Sequence, residues 1–436
     1  MQTNQEARSA LERRIDMTVS MADVEKEVEA RLKRMARTIK MPGFRPGKVP
    51  LKIVAQTHGA QARSEAIGAA VEQAFGAAVR EQDLRVAGFP QIEPKEAANP
   101  AEALEFTAVF EVYPEVEPGD LSAQKIERPV LEVGEAEVDK TIDVLRKQRT
   151  TFVAAERAAT DGDRVVIDFI GRKDGEPFEG GQGQDFPFVI GAGSMLKDFE
   201  SAVAGLKAGE TKTFDMTFPE DYHARQLAGQ AVQFEITVKA VEAPVLPEVN
   251  ADFAKALGVA DGDVAKLREE VKTNLEREVK RRIQARVKEQ VMNALLEVTP
   301  IEVPKALIDA EARQLADNAR RDLEMRGMKT KDIPVEPAWF VEQAERRVKL
   351  GLIMAELVKK AELHAKPEQV RALVEEMAQS YEDPSELVRW YYAQPERLAQ
   401  AEAVVIEDNV VAWASAQAQT TDTPVAFDEL MGNNAA

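Results

Sequence analysis

The sequence predicts a multidomain α+β protein: an N-terminal α+β domain, an antiparallel β domain with one short helix, and an all-helical C-terminal domain. Three observations carry this. At 436 residues the chain is too long for a single core. A glycine-rich middle segment places Asp-Gly and Gly-Gly turns between extended runs. From about Val264 to Gln417 the texture changes to long, charged, Ala/Leu/Val/Met-rich stretches interrupted by prolines.

In chain order, residues 1–20 read as a strand, with Leu11, Ile15, Met17 and Val19 giving a partial alternation. A helix follows from Asp23, with Val24, Val28, Leu32 and Met35 at helical spacing, and it stops before Met41-Pro42. A second helix is predicted from about Leu51 to Gln82. "RVAGFPQIEP" is extended, and Leu104, Phe106, Ala108, Phe110 and Val112 alternate at period two, as a half-buried strand does. Residues 1–115 then form one domain and 116–149 a connector with a helix over 134–148. Residues 150–245 form the β domain, whose short helix "LKDFESAVAGL" has Gly205 as its stop. Residues 246–436 are helical, broken at Pro300, Pro304, Pro334, Pro337, Pro367, Pro384 and Pro395, and end in a disordered tail, "QTTDTPVAFDELMGNNAA".

Composition excludes several chemistries. With no cysteine there is no disulfide scaffold, no Cys-ligated zinc and no thiol nucleophile. His58, His223 and His364 are scattered and offer no metal-ligand spacing. The N-terminus lacks the apolar core of a signal peptide, and no apolar run approaches membrane-spanning length, so a cytoplasmic protein is expected. A net charge of -19 argues against nucleic-acid binding by the surface as a whole.

Against that acidity, the cations Arg31, Lys33, Arg34, Arg37, Lys40, Arg45, Lys48 and Lys52 follow one another with no Asp or Glu between them. Pro42, Pro46 and Pro50 restrict the backbone there, Gly43 and Gly47 permit turns, and Phe44 sits at the tip. A stiff loop of this kind offers an aromatic for insertion beside cations that pair with phosphates or carboxylates. The competing reading is a solvated helix end followed by an ordinary proline turn. The residues Gly43, Phe44, Arg45, Gly47, Lys48 and Pro50 resemble the ribosome-docking signature of the trigger factor family. The resemblance implies a loop between two long helices that touches a ribosomal protein and ribosomal RNA near the exit tunnel, and a cytoplasmic chaperone that binds nascent polypeptides.

The middle segment, "VVIDFIG" through "FPFVIGAGSMLKDFESAVAGLKAGE", resembles FK506-binding-protein (FKBP)-type peptidyl-prolyl isomerases over residues 150–245. The resemblance assigns the isomerase pocket to Phe169, Phe178, Glu179, Phe188, Met195, Leu196, Phe199, Tyr222 and Phe234. Phe169 stands where the family has tyrosine, Glu179 where it has aspartate, and Phe199 where it has the tryptophan of the pocket floor. The last change argues against strong macrolide binding and keeps the apolar cleft. The chemistry asks for little. Amide resonance sets a rotation barrier of about 18–20 kcal/mol, and a catalyst need only bind the twisted, less conjugated amide better than the planar forms. Tyr222 offers a hydroxyl to a substrate carbonyl; no nucleophile, metal or cofactor is required. The same phenylalanines serve equally well as the core of a small β domain.

In the helical remainder, "IEVPKALIDAEARQLADNARRDLEMRGM" and "FVEQAERRVKLGLIMAELVKKAEL" read as an antiparallel pair joined near "KTKDIPVEPAW". Met292, Met325, Met328, Met354 and Met377 either fill gaps in a core or form an adaptable surface for unfolded chains. Trp390, Tyr391 and Tyr392 are consecutive and cannot all face one way on a helix. The trigger factor resemblance implies a C-terminal body with two arms, along which the 116–149 segment returns, and a weak homodimer off the ribosome. Two other functions fit parts of the chain: a ribosome-independent prolyl isomerase with a substrate-recruiting helical domain, and an RNA-binding protein using the basic run.

Overall fold

The structure is a computed structural model that describes residues 10–42, 44, 49–95, 102–222, 224–328, 334–379, 381 and 383–432, the side chain of Glu179 excepted. The chain divides into two compact units, Met1–Pro129 with Gln284–Thr423, and Val130–Ile283 with Pro424–Ala436.

The first unit opens with β1 (Glu12–Ser20), α1 (Met21–Thr38), α2 (Leu51–Glu81), β2 (Val86–Lys95) and β3 (Ala103–Val112). The partial alternation in β1 is enough: Ile15, Met17 and Val19 are buried, and the strand pairs antiparallel with β3 in the register Ile15↔Ala108, Met17↔Phe106. The sheet order is β1-β3-β2. α1 starts two residues before the Asp23 that the sequence favours, because Met21 N–H donates to Glu102 O as soon as the strand ends. α1 and α2 cover one face of the sheet, with Val24, Ala66 and Val71 buried against Phe110, and Phe75 meets Phe110 edge-on at 5.2 Å.

Next come β4 (Lys125–Val130), α3 (Glu135–Gln148), β5 (Thr151–Ala154), β6 (Arg164–Lys173), β7 (Glu176–Val189), α4 (Lys197–Val203), β8 (Thr211–Thr217) and β9 (Ala231–Val245). Five of these strands make one antiparallel sheet, ordered β5-β9-β6-β7 with β8 also on β9. Ile167, Ile236 and Val238 have no exposed surface, and α4 lays Phe199 and Val203 on this core. The helix stops where the sequence places its stop, at Gly205 with φ +89°.

The helices that follow are α5 (Ala251–Ala256), α6 (Val264–Val298), α7 (Lys305–Met325), α8 (Val341–Lys360, after a 3₁₀ turn at Pro337–Phe340), α9 (Pro367–Ala378), α10 (Pro384–Tyr392) and α11 (Pro395–Gln417). Three of the prolines that break the pattern are first residues of helices, where the missing N–H costs nothing. In the second unit, α3 contributes Val138 and Ile142 to a core with Phe253, Leu267, Val271 and Leu275, the last three four residues apart on α6. In the first unit α7 and α8 pack through Ala312, Leu315 and Ala344, and α9 and α11 through Val370, Val374, Ala401 and Val405. No helix of the described residues is long and apolar enough to cross a membrane.

The expected disorder of the tail is corrected for residues 419–432, and residues 433–436 lie outside the described residues. Residues Gln419–Pro424 form β10, paired with β4, and Phe427–Met431 form α12. Arg128 grips Asp422 with two hydrogen bonds of 2.6 and 2.9 Å, Lys140 reaches Asp428 at 2.9 Å, and Phe427 and Leu430 are buried. The partners lie nearly 300 positions upstream, so the polar run "QTTDT" shows no local sign of them.

Candidate functional site

The β domain contains a cleft of about 500 Å³. Its floor is Phe199, 2% exposed, ringed by Phe169, Phe234 and Phe214 at centroid distances of 5.7, 5.4 and 5.9 Å, all edge-on. Phe169 comes from β6, Phe178 from β7, Phe234 from β9, Met195 and Leu196 from the loop before α4, and Tyr222 from the connection after β8. Seven of the sequence-selected residues therefore meet around one cavity. Phe188 does not line it: at 5% exposure it is buried in the domain core, its ring 6.1 Å from that of Phe199. Glu179 lies on β7, with its side chain outside the described residues, as is all of His223.

The glycines of β6 and β7 explain how large rings fit against a sheet. A Cβ at Gly181 would stand 2.6 Å from Phe178 Cε2, and one at Gly183 2.5 Å from Phe169 Cε1. Each ring occupies the space over a strand position that has no side chain. Sequence reasoning missed Met216, Phe218, Ala224, Gln226 and Leu227, all of which line the cleft. Phe218 was the detectable one: an aromatic four residues before Tyr222, it meets that ring at 4.6 Å, tilted by 42°.

The domain's charged anchor lies apart from these rings. Asp163, 1% exposed, accepts from Arg157 at 2.5 and 2.8 Å and from Thr160 N–H and hydroxyl. Burial pulls its carboxyl up, but the Arg157 guanidinium and the Thr160 donors outweigh burial and hold it below the usual carboxylate range.

The second candidate site is the loop between α1 and α2. Its stems are fastened: Leu32, Val49, Val54 and Ala62 form a buried cluster with Met35, Ile39 and Met41 packed on it. Phe44 is nonetheless 38% exposed, and Pro50 is exposed at the cap of α2. Gly43, Arg45, Gly47 and Lys48 lie outside the described residues. The positive run is less pure in space than in sequence. Arg31 pairs with Glu27 and Glu65, Arg34 with Glu27 and Lys33 with Glu29, at 2.6–3.1 Å. The helical repeat brings the upstream acids one turn back, and α2 supplies Glu65. Among the described residues Arg37, Lys40 and Lys52, nearer the loop, have no such pair.

Comparison with known proteins covers both sites. Residues 1–145 match the family described as "Bacterial trigger factor protein (TF)", and residues 263–416 match its C-terminus. Residues 155–239 match "FKBP-type peptidyl-prolyl cis-trans isomerase". The trigger factor of Aromatoleum aromaticum is 78% identical over 435 residues, covering 100% of both chains, and that of Azoarcus sp. is 77% identical over 438 residues with the same coverage. The chain belongs to the trigger factor family. The more distant trigger factor of Dechloromonas aromatica is 61% identical, covering 97% of each chain. As a trigger factor the chain is a cytoplasmic, ribosome-associated chaperone that binds nascent polypeptides, and its middle domain is an FKBP-type prolyl isomerase. The readings as a ribosome-independent isomerase and as an RNA-binding protein fall away.

Proposed function

We propose that the aromatic cleft is where this trigger factor isomerises X–Pro bonds, and that the Gly43–Pro50 loop is where it docks on the ribosome. The observation that supports the first part is the convergence of Phe169, Phe178, Met195, Leu196, Phe199, Tyr222 and Phe234 on one apolar cavity. Water stabilises the charge-separated planar amide, so an apolar wall favours the twisted form. Phe199 supplies the floor against which the prolyl ring lies, and Tyr222 offers its hydroxyl to a substrate carbonyl. Phe188 contributes through its contact with Phe199, and Glu179 completes the set.

Docking is supported by the anchored stems and the partly exposed Phe44. Gly43 and Gly47 let the loop turn, Pro50 fixes its exit, and Arg45 and Lys48 meet a large-subunit protein and ribosomal RNA beside the tunnel. The domains divide as 1–115 for docking, 116–149 as a linker packing on the C-terminal domain, 150–245 for isomerisation and 246–436 for holding clients. Exposed Met325, Met328, Trp339, Met377, Trp390 and Tyr392 support the last assignment, while Met292 is core. Off the ribosome the chain forms a weak homodimer, which sedimentation over a concentration series tests.

One reciprocal experiment tests both sites. Replacing Phe44, Arg45 and Lys48 together with alanine abolishes cosedimentation with ribosomes and leaves turnover of an X–Pro tetrapeptide at the wild-type rate. Phe199→Ala lowers turnover about 100-fold and leaves cosedimentation intact. Persistent docking removes the loop assignment, and persistent turnover removes the cleft assignment.

A further inference from the structure

We propose that Glu200 is a positioning residue of the isomerase, acting through the loop over residues 190–196 and not on the substrate itself. The inference rests on the aromatic cleft being the isomerase site. Glu200 is one of only three buried polar or charged residues among those described, at 8% exposure, and the cleft lining does not include it. Its carboxylate accepts from two backbone donors, Gly191 N–H at 3.0 Å through Oε2 and Met195 N–H at 3.2 Å through Oε1.

Those two donors bracket the loop. Between them the chain turns through Gly191 and Gly193 at φ +84° and +69°, outside the strand ladder. Gly193, Ser194, Met195 and Leu196 from this loop form one wall of the cleft. Each carboxylate oxygen thus pins one point of this loop, whose other backbone bonds lie at Ile190, Ala192 and Leu196, with none from Gly193 to Met195 among the described residues. A buried carboxylate needs such donors, since burying it without them is costly. Phe199, the floor, is its neighbour on α4. Floor and wall are therefore tied to two adjacent residues of one short helix, which fixes their separation. Releasing the wall widens the cleft, and displacements of an ångström at a positioning group cost up to about 100-fold in rate.

The test is Glu200→Gln in the full chain. Glutamine keeps the size and one oxygen acceptor but turns an NH₂ donor toward the other N–H, so one of the two bonds is lost. Steady-state turnover of an X–Pro tetrapeptide and amide hydrogen exchange are measured together. The wall is part of the apolar surface that favours the twisted amide, so kcat/KM falls about tenfold, mostly through kcat. Exchange at Gly191 and Met195 accelerates while β6 and β9 keep their protection. Wild-type kcat and KM would overturn the proposal, and so would loss of protection across β6 and β9, which would make Glu200 a plain support of the fold. Phe199→Ala run in parallel separates the two ideas. If it keeps turnover the cleft reading fails and Glu200 falls with it; if it loses turnover while Glu200→Gln does not, only the Glu200 inference fails.

Discussion

The cleft and the docking loop use aromatic residues in opposite ways. In the β domain the rings face inward and hold one another edge-on, with Phe199 at 2% exposure contacting four other rings. At the α1–α2 loop the buried apolar cluster holds the stems, and Phe44 between them keeps 38% of its surface exposed. The first site is a shape maintained by the domain core, so its function and its stability are coupled. The second is a tip carried on an anchored base, so its side chains can change with little cost to the fold. A catalyst of amide rotation needs a dry, fixed wall, whereas a docking hook needs reach and charge.

The sharpest way to break this contrast is Gly183→Ala. The added Cβ, 2.5 Å from Phe169 Cε1, displaces a cleft ring. Turnover of the tetrapeptide falls about 100-fold, and the β domain loses about 1–3 kcal/mol by overpacking, read by hydrogen exchange on β9. Ribosome cosedimentation is unchanged. A variant that keeps full turnover would uncouple the cleft from the packing of its rings.

A smaller effect comes from Asp163→Asn. Folding lowers this carboxyl's pKa, so its contribution is present above the unfolded value near pH 4 and disappears as pH falls through the folded value. At neutral pH the variant is less stable by about 1–3 kcal/mol. The difference shrinks to nothing in acid, and a gap that stays constant with pH would show that the ion pair with Arg157 is not its source. The smallest effect belongs to Val49→Ala at the base of the loop. Removing two methyl groups costs about 1–2 kcal/mol locally. Ribosome affinity drops a few-fold although no charge and no tip residue has changed, and isomerase turnover is unaffected. Unaltered affinity would mean that the stems do not set the tip.

What was legible in the sequence follows from how local each feature is. The helices flanking the loop, the alternation of β3 and the stop at Gly205 are determined by neighbours within a few positions, and the structure places them within a residue or two of expectation. The cleft was legible through the resemblance of its positions to FKBP-type isomerases, but the distinction between Phe188, which does not line the cleft, and Phe169, which does, depends on where α4 lands. Phe218, Met216 and Leu227 are lining residues for the same non-local reason. The basic run misled in part because Glu27 and Glu29 precede it in the chain yet lie one helical turn from Arg31 and Lys33 respectively.

The pairing of β10 with β4 has a consequence for how this molecule is itself made. Arg128 and Asp422 are 294 positions apart, and the segment that supplies Phe427 and Leu430 is translated long after β4 has been made. Neither β4 nor the core around Val138 and Phe253 is complete until that segment has been synthesised and released. A helper of unfinished polypeptides is thus obliged to wait for codons nearly 300 positions downstream, and a stop placed before Gln419 yields a product with an unpaired strand and an uncovered apolar face.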